Sequence, residues 1–286
     1  MDAMDNRRFA DFFKDSKYLM LKKHLYNFLF RKRAIEKCLQ QESPALILEV
    51  GCGISPIVTK FRHTVYLDLS YHAVKILKQT QNTGYYVVAD GMHLPFKTKG
   101  FSHIISSEVL EYLYDDLQAL KEMARILKQH CGCLMITVPH RNWYFTIDDD
   151  FVKHSRRCEL SEINHKLRTC GLDPVQTKKV LGPLEKITMI LVVFLFILIQ
   201  KHGPGQKSAE RDWNSRFMII FAYIIKLANL FYKGYVWLDA MIMPRSFSYV
   251  ILIKSIPLTR KKYFSIQSKN GKQSFSSFHL EMAFTR

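Results

Sequence analysis

None of the six cysteines (Cys38, Cys52, Cys131, Cys133, Cys158 and Cys170) forms a C-x-x-C pair, and Cys131 with Cys133 reads as alternate positions at the start of a strand. A reducing compartment fits that usage. The opening "MDAMDNRRFADFF" mixes acids and bases before any apolar run develops, so it lacks the layout of a secretory signal, and a cytoplasmic location is expected. No internal repeat or low-complexity tract is visible. There is also no run near the roughly twenty apolar residues that a membrane span requires. Finally, "EVGCGISP" has no third glycine where a dinucleotide fingerprint G-x-G-x-x-G would place one. Pro56 stands there, which disfavours a nicotinamide oxidoreductase.

What remains is a chain of 286 residues with 48% hydrophobic content, enough to build a large core. The net charge of +17 is uneven. Lys and Arg against Asp and Glu number ten to six over 1–43, seventeen to fourteen over 44–182, and fifteen to five over 183–286. The excess sits mostly at the C-terminal end. There "RKKYFSIQSKNGK" reads either as a solvated, disordered tail or as a patch for an anionic lipid surface or nucleic acid.

Short branched runs alternate with stretches of helical spacing. The runs are "LILEV" (46–50), "VYLDL" (65–69), "YYVVAD" (85–90), "FSHIIS" (101–106) and "CLMITV" (133–138). Between them stand "YHAVKILKQT" and "DDLQALKEMARILKQ". The second has acids at its start, bases at its end and Gly132 just beyond, as the helix dipole and capping favour. Strand and helix taking turns predict an α/β domain, a doubly wound parallel sheet with helices on both faces.

In such a sheet the loop after the first strand leads into the ligand crevice. Gly51 and Gly53 let bare backbone approach a bound molecule there. Asp68 falls at the end of the second predicted strand, where an acid can accept from both hydroxyls of a ribose. Asp90 falls at the end of the third, placed to accept from an adenine amino group. Each acid alone could be a helix cap. Glu49 at the end of the first strand makes a third, and three with a glycine turn between them point to one nucleoside.

The stretches "LEVGCGIS", "YLDLS", "VVADGMHLPF", "FSHIISSEVLEYLYD" and "GCLMITVPH" together resemble a class I S-adenosylmethionine-dependent methyltransferase, of the small-molecule group that includes quinone-biosynthesis enzymes. The likeness covers roughly 44–180. It implies a Rossmann-like, mostly parallel sheet with an antiparallel last strand, and S-adenosyl-L-methionine as cofactor. It also implies that Gly51, Cys52 and Gly53 approach the methionine part, with Glu49 ordering that turn and meeting the amino group. Asp68 and Leu69 would border the ribose, Asp90, Gly91 and Met92 the adenine, and Ser107 and Glu108 the far wall. Where family members often carry His, this chain has Tyr112.

Methyl transfer from a sulfonium is an in-line displacement that needs alignment and exclusion of water and no covalent nucleophile. An oxygen acceptor of high pKa wants a base. His140 in "TVPHRNWYF" and His154 in "DDDFVKHSRR" are the candidates; the alternative has His140 packing at a strand end and His154 holding a loop through a nearby Asp. Asp148, Asp149 and Asp150 invite a metal, but consecutive side chains diverge, so they are read as acids at a helix start and no metal site is assigned. The helix "CELSEINHKLRTCGLD" and the strand "PVQTKKVL" (174–181) should follow.

The last strand, "SFSYVILIKS", begins only at Ser246, which makes 183–244 an insertion. It holds "ITMILVVFLFILI" (187–199) and "FMIIFAYIIKLANLFY" (217–232), joined by "KHGPGQKSAERD", the layout of a helical hairpin. Thirteen residues suit a core or interfacial helix better than a span. The expected division is therefore a helical cap over 1–43, a cofactor-binding core over 44–182, the apolar hairpin over 183–244, the last strand over 245–256 and the basic tail over 257–286. In the cap, Leu21, Leu25, Phe28, Leu29 and Ile35 recur helically.

These features predict methyl transfer to a small, hydrophobic or lipid-like acceptor. The insertion serves as a lid, a peripheral contact with the inner face of a membrane (together with the basic tail), or a homodimer interface. A nucleic-acid or protein methyltransferase is the rival. It is disfavoured because the core segment carries only three excess positive charges and "SSEVLEY" stands where many amino-group methyltransferases have an Asn-Pro-Pro-Tyr type motif. A non-catalytic scaffold is disfavoured by the intact glycines and acids.

Overall fold

The computed structural model describes residues 25–81, 83–202, 232, 234, 235, 238, 239 and 242–259. The expectations for 1–24, for the second half of the hairpin and for the tail beyond 259 lie outside the described residues. In chain order the elements are α1 (Tyr26–Gln40), β1 (Ile47–Val50), β2 (Thr64–Asp68), α2 (Tyr71–Thr80), β3 (Tyr85–Val88), β4 (His103–Ser107), α3 (Asp116–Ile126), β5 (Cys133–Pro139), α4 (Ile147–Phe151), α5 (Leu160–Thr169), β6 (Leu172–Leu181), α6 (Pro183–His202) and β7 (Val250–Pro257). Single 3-10 turns stand at Leu110–Tyr112, Asn142–Tyr144 and Arg245–Phe247.

The seven strands form one sheet in the order β3-β2-β1-β4-β5-β7-β6. β3, β2, β1, β4 and β5 are parallel to one another, and β7 runs antiparallel to both β5 and β6. Strand order reverses between β1 and β4, so the crevice at their carboxyl ends is the natural ligand site.

Alternation along the strands sorts side chains into two layers. Leu48, Val50, Ile104, Leu134 and Ile136 pack with Leu120 and Met123 of α3 and Ile163 and Leu167 of α5. Ile47, Ile105, Cys133 and Met135 pack on the opposite face with Phe28, Ile35 and Leu39 of α1. Because β1 is buried on both faces, Glu49 is carried into the interior beside α1, only 2% exposed.

Two boundaries differ from the sequence reading. α3 stops at Ile126, short of Lys128 and Gly132, because Phe101 pairs with Leu127 and draws the chain into a strand-like bridge. In α1, Leu25, Phe28 and Ile35 are buried as expected, whereas Leu29 is exposed. Among the described residues no helix is long and apolar enough to cross a membrane. None of the six cysteines forms a disulfide.

Candidate active site

Short turns after β1, β2 and β3 build one wall of the cleft. Gly51 and Gly53 take left-handed backbone, φ 72° and 53°. At Gly51 a Cβ would lie 2.3 Å from Val109 Cγ2, so any side chain would collide with the loop after β4. The Glu49 carboxylate accepts the backbone N–H of Ile57 at 2.7 Å and of Val58 at 2.9 Å, which ties down the far end of the turn. Burial pushes the Glu49 carboxyl up to about 7, against the pull of those two N–H groups. Asp68 accepts from Gly53 N at 2.8 Å through one oxygen and from Ser70 N at 2.9 Å through the other. Asp90 Oδ1 accepts from Met92 N at 2.9 Å. Its Oδ2 is buried with no hydrogen-bond partner and lies 3.6 Å from His93 Nδ1.

The cleft is lined by Glu49, Gly51, Cys52, Gly53, Asp68, Leu69, Asp90, Gly91, Ser107 and Glu108, all named from the sequence. Met92 is not among them. Its side chain turns into the core at 2% exposure, and only its N–H serves the site, by holding Asp90. Burial pushes the Cys52 thiol up, which leaves it inert.

Sequence reasoning missed part of the lining: Phe28 and Arg31 of α1, and Val152 and Lys153 after α4. Arg31 is 5% exposed; its Nε donates to Asn27 Oδ1 at 2.7 Å and its Nη1 to Ser107 Oγ at 3.1 Å. A signal was present, since Phe28, Arg31 and Ile35 share one face at helical spacing, and a guanidinium on an apolar face needs a reason.

The two histidines separate. His140 is 2% exposed and does not line the cleft; its Nδ1 is 3.0 Å from the Ser248 carbonyl, and burial holds its imidazole below its ordinary pKa. The strand-end packing role describes it, and nothing puts it in reach of an acceptor. His154 stands behind the cleft wall, with Nδ1 2.8 Å from Asp149 Oδ1, Nε2 3.7 Å from Glu111 Oε1, and its ring edge-on to Tyr112 at 5.0 Å. Tyr112 and Glu108 do line the cleft. Ligand atoms of Glu108, Glu111 and His154 all lie within 4.8 Å of one another, a set that could hold a metal ion.

The three aspartates begin α4, as read. Asp149 forms a capping box with Thr146, while Asp148 and Asp149 are buried against cations. Arg157 Nη2 donates to Asp149 at 2.7 and 2.9 Å, and Lys186, from the first turn of α6, donates to Asp148 at 2.7 and 2.9 Å and to Asp149 at 2.7 Å. Burial would raise the Asp149 carboxyl, but the bonds from His154, Arg157 and Lys186 hold it well below the usual carboxylate range. Both cations also stand over the Tyr249 ring, at 4.6 and 5.2 Å.

A doubly wound sheet whose switch point carries a glycine turn and three strand-end acids defines a nucleoside-binding domain. Residues 48–135, less than a third of the chain, match the methyltransferase domain family, and the seven-stranded sheet is the Rossmann-like fold of such domains. Over 152 residues it is 34% identical to the human protein named "Probable tRNA methyltransferase 9B", covering 48% of this chain and 33% of that one. The chain spans less than half the length of the curated relatives it matches. A chain from the complex between the Haloferax volcanii Trm112 methyltransferase activator and a methyltransferase superposes with TM-score 0.54 at 17% identity, over 90% of this chain and 98% of that one. Phosphoethanolamine N-methyltransferase 2 of Haemonchus contortus, solved with S-adenosyl-L-methionine, gives 0.53 at 15% identity, over 87% and 60%. These two likenesses establish the fold.

Proposed function

We propose that this chain transfers the methyl group of S-adenosylmethionine to a small acceptor with an apolar body. The observation that carries the cofactor half is the buried Asp90 Oδ2, without a hydrogen-bond partner at the cleft and suited to the adenine amino group. Asp68, which ends β2 and lines the cleft, would take the ribose hydroxyls. Arg31 would meet the methionine carboxylate, and the Gly51 turn would lie along the chain leading to sulfur. Glu49 supports that turn through backbone bonds, and its carboxyl also faces the cleft for the cofactor's ammonium.

The acceptor half supports an apolar substrate, because Phe28, Tyr112, Leu113 and Val152 line it. Beyond its buried first turn, α6 exposes Ile187, Leu191 and Phe194 at 55, 55 and 50%, spaced i, i+4, i+7. That stripe favours a peripheral contact with an apolar phase at the inner face of a membrane. The reaction needs only alignment: the methyl carbon leaves sulfur as the acceptor attacks in line, and the protein excludes water. His154, behind the wall, would keep Tyr112 and Glu111 in place.

A second reading is favoured by the similarity to proteins named tRNA methyltransferases, and in it the acceptor is a tRNA base. One experiment separates the two. The purified chain is incubated with methyl-labelled S-adenosylmethionine and either a total lipid extract or total tRNA. Label in the organic phase supports the first reading, and label in the tRNA replaces it with the second.

A further inference from the structure

We propose that Glu108, Glu111 and His154 bind a divalent cation beside the transferred methyl, with an oxygen of the acceptor as a further ligand. The proposal rests on the methyl-transfer reading above and names the acceptor atom that reading leaves open. Glu108 follows β4 with left-handed backbone, φ 54°, Glu111 lies on the 3-10 turn after it, and His154 follows α4, so separate segments of the chain converge on one point.

Two observations point to an ion. Glu108 Oε1 is buried, has no hydrogen-bond partner and sits at the cleft. A buried carboxylate oxygen left in that state is costly unless a cation or donor joins it. His154 is oriented from outside the trio: its Nδ1 lies 2.8 Å from Asp149 Oδ1 and its Nε2 faces Glu111 at 3.7 Å, so with the proton on Nδ1 the Nε2 lone pair would point into the trio. A carboxylate behind a histidine in this way is the usual support of a metal-bound imidazole.

Two carboxylates and one imidazole suit Mn2+ or Mg2+, with water and the acceptor completing six ligands. Cis ligands about an ion at roughly 2.1 Å stand about 3 Å apart, and a trio no wider than 4.8 Å reaches that by small side-chain rotations. The cation would lower the pKa of a bound hydroxyl, whose proton leaves to solvent. The resulting oxygen anion attacks the methyl carbon. The carbon–sulfur bond breaks with its electron pair retained on sulfur, giving neutral S-adenosylhomocysteine and the methyl ether or ester.

The test is a Mn2+ titration of the chelator-stripped full chain loaded with S-adenosylhomocysteine, followed by the loss of free Mn2+ signal in electron paramagnetic resonance. One Mn2+ per chain is expected, displaced by excess Mg2+. Affinity should fall at least tenfold in Glu108→Gln and in His154→Gln, and stay unchanged in Asp150→Asn, whose side chain is exposed. Because His154 also closes the α4 loop, Glu108→Gln at the cleft wall is decisive. Wild-type protein that binds S-adenosylhomocysteine but shows no saturable Mn2+ site overturns the metal proposal alone, as does equal affinity in Glu108→Gln. Failure to bind S-adenosylhomocysteine overturns the reading beneath it.

Discussion

The two halves of the cleft hold their acids in different ways. On the cofactor side each carboxylate accepts backbone N–H groups from nearby in sequence: Glu49 from Ile57 and Val58, Asp68 from Gly53 and Ser70, Asp90 from Met92. Behind the wall on the other side, Asp148 and Asp149 are held by charged side chains that come from farther off. Asp149 meets His154, Arg157 and Lys186, and the last arrives from α6, thirty-seven residues away. Backbone donors exist wherever a tight turn exists, whatever the side chains. A side-chain network exists only if every partner is the right residue, so the acceptor half is the one that substitutions can remodel.

The largest expected effect therefore falls on the acceptor side. Asp149→Ala would leave Arg157 and Lys186 buried with one carboxylate, Asp148, between them, and breaking such a network costs about 3–5 kcal/mol. A urea midpoint should drop accordingly, while S-adenosylhomocysteine affinity of the folded fraction stays near wild type. A large loss of cofactor affinity instead would show that the halves are not independent.

Next in size is Asp68→Ala on the cofactor side. Removing a carboxylate that takes ribose hydroxyls should cost about 1.5–3 kcal/mol of cofactor affinity, roughly ten- to more than a hundredfold in Kd by calorimetry. Because Asp68 also holds Gly53 N, part of the loss is a looser turn. No loss would remove Asp68 from the site. Asp90→Asn is gentler: it keeps an oxygen for Met92 N but can present an amide where the adenine amino group would donate. A loss of about 1–2 kcal/mol in the same titration is expected.

The difference between the halves also explains what the sequence disclosed. Five parallel strands follow from short branched runs alternating with helical stretches, and the glycine turn from Gly51 and Gly53, whose conformations few other residues accept, whereas the antiparallel last strand is implied only by the family resemblance. Residues that work through backbone turns could be placed from spacing alone, and Asp68 and Asp90 both reach the cleft. Met92 failed because a residue beside a site can serve it with its N–H while its side chain enters the core. His140 failed because proximity to a strand end says nothing about which face the ring takes. Arg31, Lys186 and the convergence of Glu108 with Glu111 and His154 depend on helices docking across the sheet, which no local pattern encodes.

A further predicted effect is one of slope, and it opposes the two halves directly. The Glu49 carboxyl is raised to about 7 by burial, so the folded chain holds its proton more tightly than the unfolded chain does. Its contribution is full below the ordinary glutamate value of about 4.3 and is lost as pH rises toward 7, a slope of at most about 1.4 kcal/mol per pH unit. Asp149 has the reverse sign: its carboxyl is depressed, so its contribution is full above about 4 and is lost as pH falls further. Lys32 favours ionisation of Glu49 and Asp68 opposes it, and Glu185, raised by burial to about 8, adds a slope of the same sign as that of Glu49. Comparing urea midpoints of wild type and Glu49→Gln at pH 5 and pH 7.5 isolates the Glu49 part. The variant should lose less stability than wild type over that interval. Equal losses would mean that the two N–H bonds already keep Glu49 ionised, in which case the cofactor side is held by charge after all.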